Sequence, residues 1–250
     1  MSVVSPPPAH RSGFVAIIGR PNVGKSTLLN RILGQKVAIV TPKPQTTRGR
    51  ILGIHTLPEA QIVFFDTPGL HTPRDLINRR MVNVAERAVG EADVVLWVVA
   101  AAEGITAGDR EIADRLQREA RRVCVALNKI DCVRPHDLLP LLATLEALLP
   151  DTDVVPVSAQ TGDNLPALIE QVVRLLPEGP RYYEADTFTD QTERMLAQEV
   201  VREQVLLQTR QEIPYAVAVT VDQFEDKGNL AVISATIHEE WRSVSPSLAT

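Results

Sequence analysis

Cysteine, long apolar runs and an excess of charge of one sign are all scarce in this 250-residue chain. The two cysteines, Cys124 and Cys132, form no C-x-x-C pair and are too few for a disulfide scaffold, so a reducing cytoplasm is the simpler setting. No run reaches the roughly 18 apolar residues of a membrane helix. The formal net charge of −5 argues against strong sequence-independent attraction to nucleic acid.

A phosphate-binding loop is the first motif along the chain. The apolar strand candidate Phe14 to Ile18 precedes Gly19-Arg20-Pro21-Asn22-Val23-Gly24-Lys25-Ser26, and a segment with helical spacing runs from Ser26 to Leu33. This order predicts that backbone N–H groups of the loop, including those up to Thr27, surround a polyphosphate. Lys25 is expected to reach the outer phosphates, and the Ser26 hydroxyl to bind Mg²⁺.

Two further segments are predicted to meet the phosphates. Asp66-Thr67-Pro68-Gly69 follows an Ile, Val and Phe-rich strand, which places Asp66 at the carboxyl edge of the sheet, facing Mg²⁺. The Gly69 N–H is expected to contact the terminal phosphate. The polar loop from Gln35 to Arg50 contains Thr46 and Thr47; either one could close over Mg²⁺, and we favour Thr47.

Guanine is the base that the third motif predicts. Asn128-Lys129-Ile130-Asp131 follows an apolar strand, and a carboxylate there can accept two parallel hydrogen bonds from guanine, which adenine cannot donate. We expect Asp131 to make this contact, Asn128 to brace the site, and the Lys129 stem to cover the base. In Ser158-Ala159, the Ala159 N–H is expected to donate to guanine O6. An ATPase is the competing interpretation, and it depends on Asp131.

The fold class that we predict is α/β: alternating strands and helices indicate a doubly wound domain around the phosphate loop, and a smaller, incomplete α+β domain follows it. Strands are expected at Arg50 to Leu57, Ala60 to Phe65, Asp93 to Ala100, Val123 to Leu127 and Asp153 to Val157, with helices between them. Trp97 and Cys124 are expected in the core.

These motifs, together with Gln45-Thr46-Thr47-Arg48 and the run Asp66 to His71, resemble those of the Era-like subgroup of P-loop GTPases over residues 13–177. The resemblance implies a GTP-hydrolysing switch that assists small ribosomal subunit assembly by binding ribosomal RNA. It also implies peripheral contact with the inner membrane. The resemblance further implies that Asn22 helps to bind K⁺ near the phosphates; the alternative is that Asn22 only stabilises the loop through its own hydrogen bonds.

Slow intrinsic hydrolysis is predicted from Leu70, which occupies the position where many GTPases carry a water-orienting glutamine. The residues that we predict to be catalytic are Lys25, Thr47 and Gly69. Leu70 also keeps open an alternative function, a guanine-nucleotide-binding module with little turnover that acts through a protein partner.

Four regions are expected: a flexible tail (1–12), a GTP-binding domain (13–178), a linker (179–190) and a partial or altered KH-like domain (191–250). In the resembled family this last domain carries a G-x-x-G loop that clamps nucleic acid. No G-x-x-G follows the second strand candidate here, and residues 181–250 hold six basic and twelve acidic residues. RNA binding is therefore predicted from the resemblance alone.

Overall fold

A computed structural model describes residues 10–41, 46–47, 50–69, 76–119, 121–209, 217–228 and 230–239, with the backbone alone at 76–81 and 239. The chain divides into two compact units, Met1–Asp190 (unit 1) and Gln191–Thr250 (unit 2). Among the helices that these ranges contain, none combines the length and the apolar character that crossing a bilayer requires.

Unit 1 is built on a six-stranded sheet with the order β2-β3-β1-β4-β5-β6. The hairpin strands β2 and β3 are antiparallel, and every other neighbouring pair is parallel. The strands are β1 (Arg11–Ile18), β2 (Ile51–Thr56), β3 (Ala60–Asp66), β4 (Val94–Ala100), β5 (Val123–Asn128) and β6 (Asp153–Pro156). The parallel strands β1, β3, β4 and β5 therefore bring their carboxyl ends to one edge.

Helices cover both faces of this sheet, so the predicted doubly wound arrangement is confirmed. The α-helices are α1 (Lys25–Leu33), α2 (Leu76–Glu91), α3 (Ala107–Glu119), α4 (Pro135–Leu148) and α5 (Leu165–Leu175), and two short 3₁₀ turns span Ala101–Glu103 and Ile130–Cys132. Helices α1 and α5 pack on one face, and α2, α3 and α4 pack on the other. Trp97 is fully buried, and burial raises the pKa of Cys124 to about 12, which fits a core thiol.

The predicted tail, residues 1–12, overlaps the first strand at its inner end. Strand β1 begins at Arg11, so Arg11 and Ser12 pair with Ala60 and Gln61 of β3 instead of belonging to a tail. The reason is register: hydrogen bonds to β3 extend the strand past its apolar run.

The segment predicted as a linker, 179–190, lies against unit 1. The Gln61 side chain accepts hydrogen bonds from the N–H groups of Tyr182 (2.7 Å) and Tyr183 (2.9 Å). At the outer edge of β2, the Ile54 N–H donates to the Phe188 carbonyl (2.9 Å), and the Thr189 hydroxyl donates to the Leu52 carbonyl (2.7 Å). The segment thus covers an edge strand.

Unit 2 consists of α6 (Glu193–Gln208) and the antiparallel strands β7 (Val217–Asp226) and β8 (Ala231–Glu239). The Thr192 hydroxyl caps α6 by accepting a hydrogen bond from the Met195 N–H (3.3 Å), which explains why the helix begins after Gln191. Alternate β7 residues Val217, Val219 and Val221 are buried and form its apolar side. Tyr215, Ala216, Asn229 and the run Trp241 to Pro246 lie outside the described residues.

Candidate functional site

The phosphate loop lies between the carboxyl end of β1 and the first residue of α1, as its sequence predicts. Gly24 adopts φ 100°, and a Cβ there would lie 2.4 Å from Asn128 Nδ2, so only glycine fits between the two loops. No side chain caps the start of α1. Its first N–H groups, with the positive end of the helix dipole, therefore face the loop and form an anion site.

Lys25 is buried and points back along the phosphate loop. Its ammonium donates hydrogen bonds to the carbonyls of Gly19 (3.1 Å) and Arg20 (2.9 Å). Burial lowers the pKa of Lys25 to about 8; the Arg20 charge acts in the same direction, and the Asp66 charge opposes it. Because the desolvated ammonium lacks a full counter-charge, an anion beside it would be bound strongly.

Ser26, Thr47 and Asp66 come together as the magnesium prediction requires. The Ser26 hydroxyl donates to Asp66 Oδ2 (2.6 Å), and Thr47 Oγ1 lies 3.1 Å from Ser26 Oγ and 3.5 Å from Asp66 Oδ2. Asp66 is fully buried, and among the described residues no group forms a hydrogen bond with its Oδ1 atom. Burial raises the pKa of Asp66, against the opposing effects of Ser26 and Lys25.

This cluster fits Mg²⁺, because hard oxygen donors surround an unsatisfied carboxylate oxygen. Within the described ranges, no group of three or more His, Cys, Asp and Glu side chains could hold a metal ion. The two hydroxyls and one carboxylate would thus share the ion with phosphate oxygens and water, which is how Mg²⁺ is usually bound.

The two adjacent threonines take different positions. Thr46 Oγ1 lies 2.7 Å from Thr41 Oγ1, whereas Thr47 belongs to the cluster around Asp66. A cleft of about 360 Å³ is bordered by the phosphate loop, by the loop that contains the two threonines and by the Thr67 to Gly69 turn. It is lined by Pro21, Asn22, Gly24, Lys25, Ser26, Thr27, Ile39, Val40, Thr41, Thr46, Thr47, Thr67, Gly69 and Lys129.

The Asp66 to Gly69 turn is fixed against the phosphate loop. The buried Thr67 hydroxyl donates to the Ile17 carbonyl (2.7 Å), so Thr67, which lines the cleft, also links the end of β3 to β1. A Cβ on Gly69 would lie 2.6 Å from the Pro21 nitrogen, which shows how closely the two backbones approach. Leu70 and His71, like Gln45 and Arg48, lie outside the described residues.

At the base end, Asn128 links three segments. Its Nδ2 donates to the Val23 carbonyl (2.9 Å), and its Oδ1 accepts from the Ala159 N–H (2.9 Å). The predicted bracing role of Asn128 therefore has a geometric basis. The Ala159 N–H, which we expected to face guanine O6, is directed at Asn128, so a bond to the base would have to share or replace this contact.

Asp131 is exposed, in contrast to Asp66. The Ser158 hydroxyl donates to Asp131 Oδ1 (2.6 Å) and holds the pKa of Asp131 below its ordinary value. Lys129 adopts φ 64°, an uncommon conformation for a residue other than glycine. This left-handed residue begins the turn that presents Asp131 after the end of β5.

Arg20 was predicted in the nucleotide site as a member of the phosphate loop; its side chain is directed at the 3₁₀ turn after β4 and at the first turn of α3. Its Nε donates to Asp109 Oδ2 (2.9 Å) and its Nη2 to Glu103 Oε2 (3.0 Å). Sequence reasoning missed both carboxylates. The pattern Thr106-Ala107-Gly108-Asp109 at the start of an amphipathic helix is a capping-box signal that could have indicated Asp109.

Comparisons with known proteins agree with this geometry. A family model described as "50S ribosome-binding GTPase" matches residues 14–129. GTPase Era of Syntrophus aciditrophicus (strain SB) is 48% identical over 235 residues, which cover 93% of this chain and 77% of the relative. GTPase Era of Geobacter metallireducens is 49% identical over 232 residues, covering 92% and 78%. The chain belongs to the Era family of GTPases.

Solved Era structures match the whole fold. Era in complex with MgGDPNP and nucleotides 1506–1542 of 16S ribosomal RNA has a TM-score of 0.88 at 40% identity, over 95% of this chain and 82% of that one. A variant of Aquifex aeolicus Era bound to GDP and AlF₄⁻ has a TM-score of 0.86 at 41% identity, over 91% and 78%. The predicted P-loop GTPase fold, family and GTP-hydrolysing activity are thus confirmed, and the ATPase interpretation is set aside.

Proposed function

We propose that this Era-family GTPase assists assembly of the small ribosomal subunit by binding 16S ribosomal RNA, with GTP hydrolysis as the switch. The observation that carries the proposal is the likeness, over 95% of the chain, to an Era structure that contains both MgGDPNP and 16S ribosomal RNA. A nucleotide-binding module with little turnover is not favoured, because the relatives that align with 92–93% of the chain are GTPases.

In the proposed phosphate site, chain residues position the nucleotide and offset its charge. The Lys25 ammonium donates to two loop carbonyls in the structure, and in the proposed nucleotide-bound state it contacts the outer phosphates. Ser26, Thr47 and Asp66 hold Mg²⁺, and the Gly69 N–H donates to the terminal phosphate. Bound Mg²⁺ supplies neutralisation of charge on the phosphate oxygens. The phosphate-loop backbone from Gly19 to Thr27 and the start of α1 bind the remaining oxygens.

In the proposed base site, Asp131 accepts both guanine donors, and the Lys129 stem covers one face of the ring. Ser158 orients the Asp131 carboxylate through its 2.6 Å hydrogen bond. Asn128 ties the site to the phosphate loop through Val23, and Ala159 offers its N–H to guanine O6. At the other end of the nucleotide, we propose that Thr67, Pro68 and Leu70 lie with Gly69 in the segment beside the terminal phosphate.

Hydrolysis is proposed to be slow without a partner, because leucine at position 70 cannot orient the attacking water.

Asn22 is the proposed K⁺ ligand, since it lies on the cleft wall beside the phosphate site. Steady-state phosphate release in KCl and in NaCl at equal ionic strength tests this point. A faster rate in KCl is expected, and equal rates would remove the K⁺ site.

For the remaining organisation, we propose that residues 13–178 bind GTP, 179–190 connect the units, and 191–250 form the KH-like, RNA-binding part without G-x-x-G. A cytoplasmic location with peripheral contact to the inner membrane is proposed from the family resemblance. Since residues 181–250 contain twice as many acidic as basic residues, RNA recognition here would depend on bases and shape more than on net charge.

Filter binding with an RNA of the 16S sequence 1506–1542 tests the RNA proposal. The full chain is loaded with GDP or with GDPNP, and a shuffled RNA of the same composition serves as control. We expect the 16S sequence to bind more tightly than the shuffled RNA, and the affinity to depend on the nucleotide. Equal binding of the two RNAs in both states would contradict the proposal.

A further inference from the structure

A carboxylate network outside the proposed nucleotide contacts joins the phosphate loop to the base loop. Its two acidic members are Glu103, in the 3₁₀ turn after β4, and Asp109, in the first turn of α3. Their cationic partners are Arg20 of the phosphate loop and Lys129 of the base loop. Neither carboxylate has a role in the proposed site.

Asp109 anchors Arg20. Its side chain is completely buried, and Oδ2 accepts hydrogen bonds from Arg20 Nε (2.9 Å), the Thr106 N–H (3.0 Å) and the Thr106 hydroxyl (2.7 Å). A Cβ on Gly108 would lie 2.9 Å from Arg20 Cδ, so the arginine stem packs directly on the start of α3. The Arg20 carbonyl in turn accepts from Lys25. The buried Asp109 carboxylate thus fixes Arg20, whose carbonyl accepts the hydrogen bond from Lys25.

Glu103 connects this anchor to the second loop. Its Oε2 accepts from Arg20 Nη2 (3.0 Å), and its Oε1 accepts from Lys129 Nζ (3.2 Å). One side chain therefore uses its two oxygens for two different loops. Because those loops are proposed to bind opposite ends of the same ligand, their separation determines whether both ends can be bound at once.

We propose that Glu103 is a positioning residue that holds the phosphate loop and the base loop at the separation a guanine nucleotide requires, through Arg20 and Lys129. This inference rests on the guanine-nucleotide site proposed above. Asp109 contributes by fixing the position of the Arg20 side chain. Holding both loops before binding reduces the ordering that the ligand must impose, so affinity rises without a direct contact.

The ion pairs of Glu103 are partly exposed, with 38% of its side chain accessible, so the expected effect is moderate. Two such pairs correspond to about a three- to tenfold change in affinity when both are lost. The fully buried Asp109 is a poorer probe, because removing its charge would also destabilise α3. Glu103 therefore provides the cleaner test.

The test is GDP affinity of the full chain, measured by titration with a fluorescent GDP analogue. Glu103→Gln keeps one carbonyl acceptor but turns an NH₂ group towards a cation, so we expect the dissociation constant to rise about three- to tenfold. Glu111→Gln, the same change at an exposed site on α3, is the matched control and should leave the constant unaltered. Thermal melting of the ligand-free variants reports any general loss of stability.

A double-mutant cycle separates positioning from a structural role. In a Lys129→Ala background one arm of Glu103 has no partner, so Glu103→Gln should raise the dissociation constant by a smaller factor than in the wild-type background. An equal factor in both backgrounds, or an unchanged constant for Glu103→Gln alone, would overturn the inference. Failure of the wild-type chain to bind GDP would instead overturn the nucleotide site and the inference with it.

Discussion

The two ends of the candidate nucleotide site differ in how they keep their charges. At the phosphate end, Lys25 and Asp66 are buried, and burial moves the pKa of each towards the neutral form. At the base end, Asp131 is exposed, and a hydrogen bond from Ser158 keeps its pKa low. The charged groups at the phosphate end are thus desolvated, and a bound ligand would stabilise them. The carboxylate at the base end is already stabilised by water and by Ser158.

This difference separates affinity from selectivity. Desolvated charges interact strongly with phosphates and Mg²⁺, because little water screens them. An exposed carboxylate gains less from binding, but it rejects a base that lacks the two donors, because its hydrogen bonds to water would be lost without replacement. We therefore expect changes at the phosphate end to alter binding of all nucleotides, and changes at the base end to alter the choice of base.

The largest effect is expected from Asp131→Asn. Loss of two charge-assisted hydrogen bonds should weaken GTP binding by about 10² to 10⁴ and favour xanthosine triphosphate, whose ring accepts where guanine donates. Competition titrations with both nucleotides measure the change. Asp114→Asn, on the exposed side of α3, is the control. Unaltered preference for GTP would show that the base end does not select.

A smaller effect is expected from Asp66→Asn at the other end. The amide cannot offer an anionic oxygen to the ion, so Mg²⁺-dependent GTP turnover should fall about 10- to 100-fold. GDP affinity measured in EDTA should change little, and the preference for guanine should be retained. Equal losses with and without Mg²⁺ would assign Asp66 to the fold instead of to the ion.

The pH dependence of binding distinguishes the two ends further. Because the free-state pKa of Lys25 is about 8, the ammonium loses its proton as pH rises through that value. Phosphates favour the charged form, so binding above pH 8 should take up a proton, and GDP affinity should fall by up to about tenfold per pH unit. Calorimetry in two buffers of different ionisation enthalpy measures this uptake. A flat profile from pH 7 to 9 would contradict it.

The smallest effect is expected from Ser158→Ala. Loss of the hydroxyl at exposed Asp131 should weaken GDP binding only about two- to fivefold, since water can replace it. Because the hydrogen bond lowers the pKa of Asp131, its removal should move the acid limit of GDP binding to higher pH. Binding titrations between pH 3.5 and 6 test this shift, about the ordinary pKa of Asp near 3.9. A loss of GDP affinity well above tenfold would show that water does not replace this hydrogen bond.

Local patterns were sufficient for the elements that carry the motifs. The phosphate loop, Asp66 and the Asn128 to Asp131 turn all lie at the carboxyl ends of buried strands, and the sheet brings these strand ends to one edge. At that edge the Ser26 hydroxyl contacts both Thr47 and Asp66.

Long-range contacts were the part that the sequence could not predict. Arg20 and Asp109 are 89 residues apart, and Ala159 meets Asn128 across 31 residues, so no local spacing encodes either pair. The start of β1 likewise depends on its register with β3 and not on its own composition. Each of these contacts requires the assembled sheet before the two side chains can meet.

The segment along β2 bears on how the GTP-binding unit should be isolated. An uncovered edge strand presents unpaired N–H and carbonyl groups to other chains. In this protein, Phe188 and Thr189 occupy those groups at Ile54 and Leu52. A fragment cut after residue 178 would expose that edge to self-association, whereas one cut after Asp190 would keep it covered. The boundary of the fragment is therefore set by two hydrogen bonds to β2, one from its backbone to Phe188 and one from the Thr189 hydroxyl, beyond the last helix of the sheet.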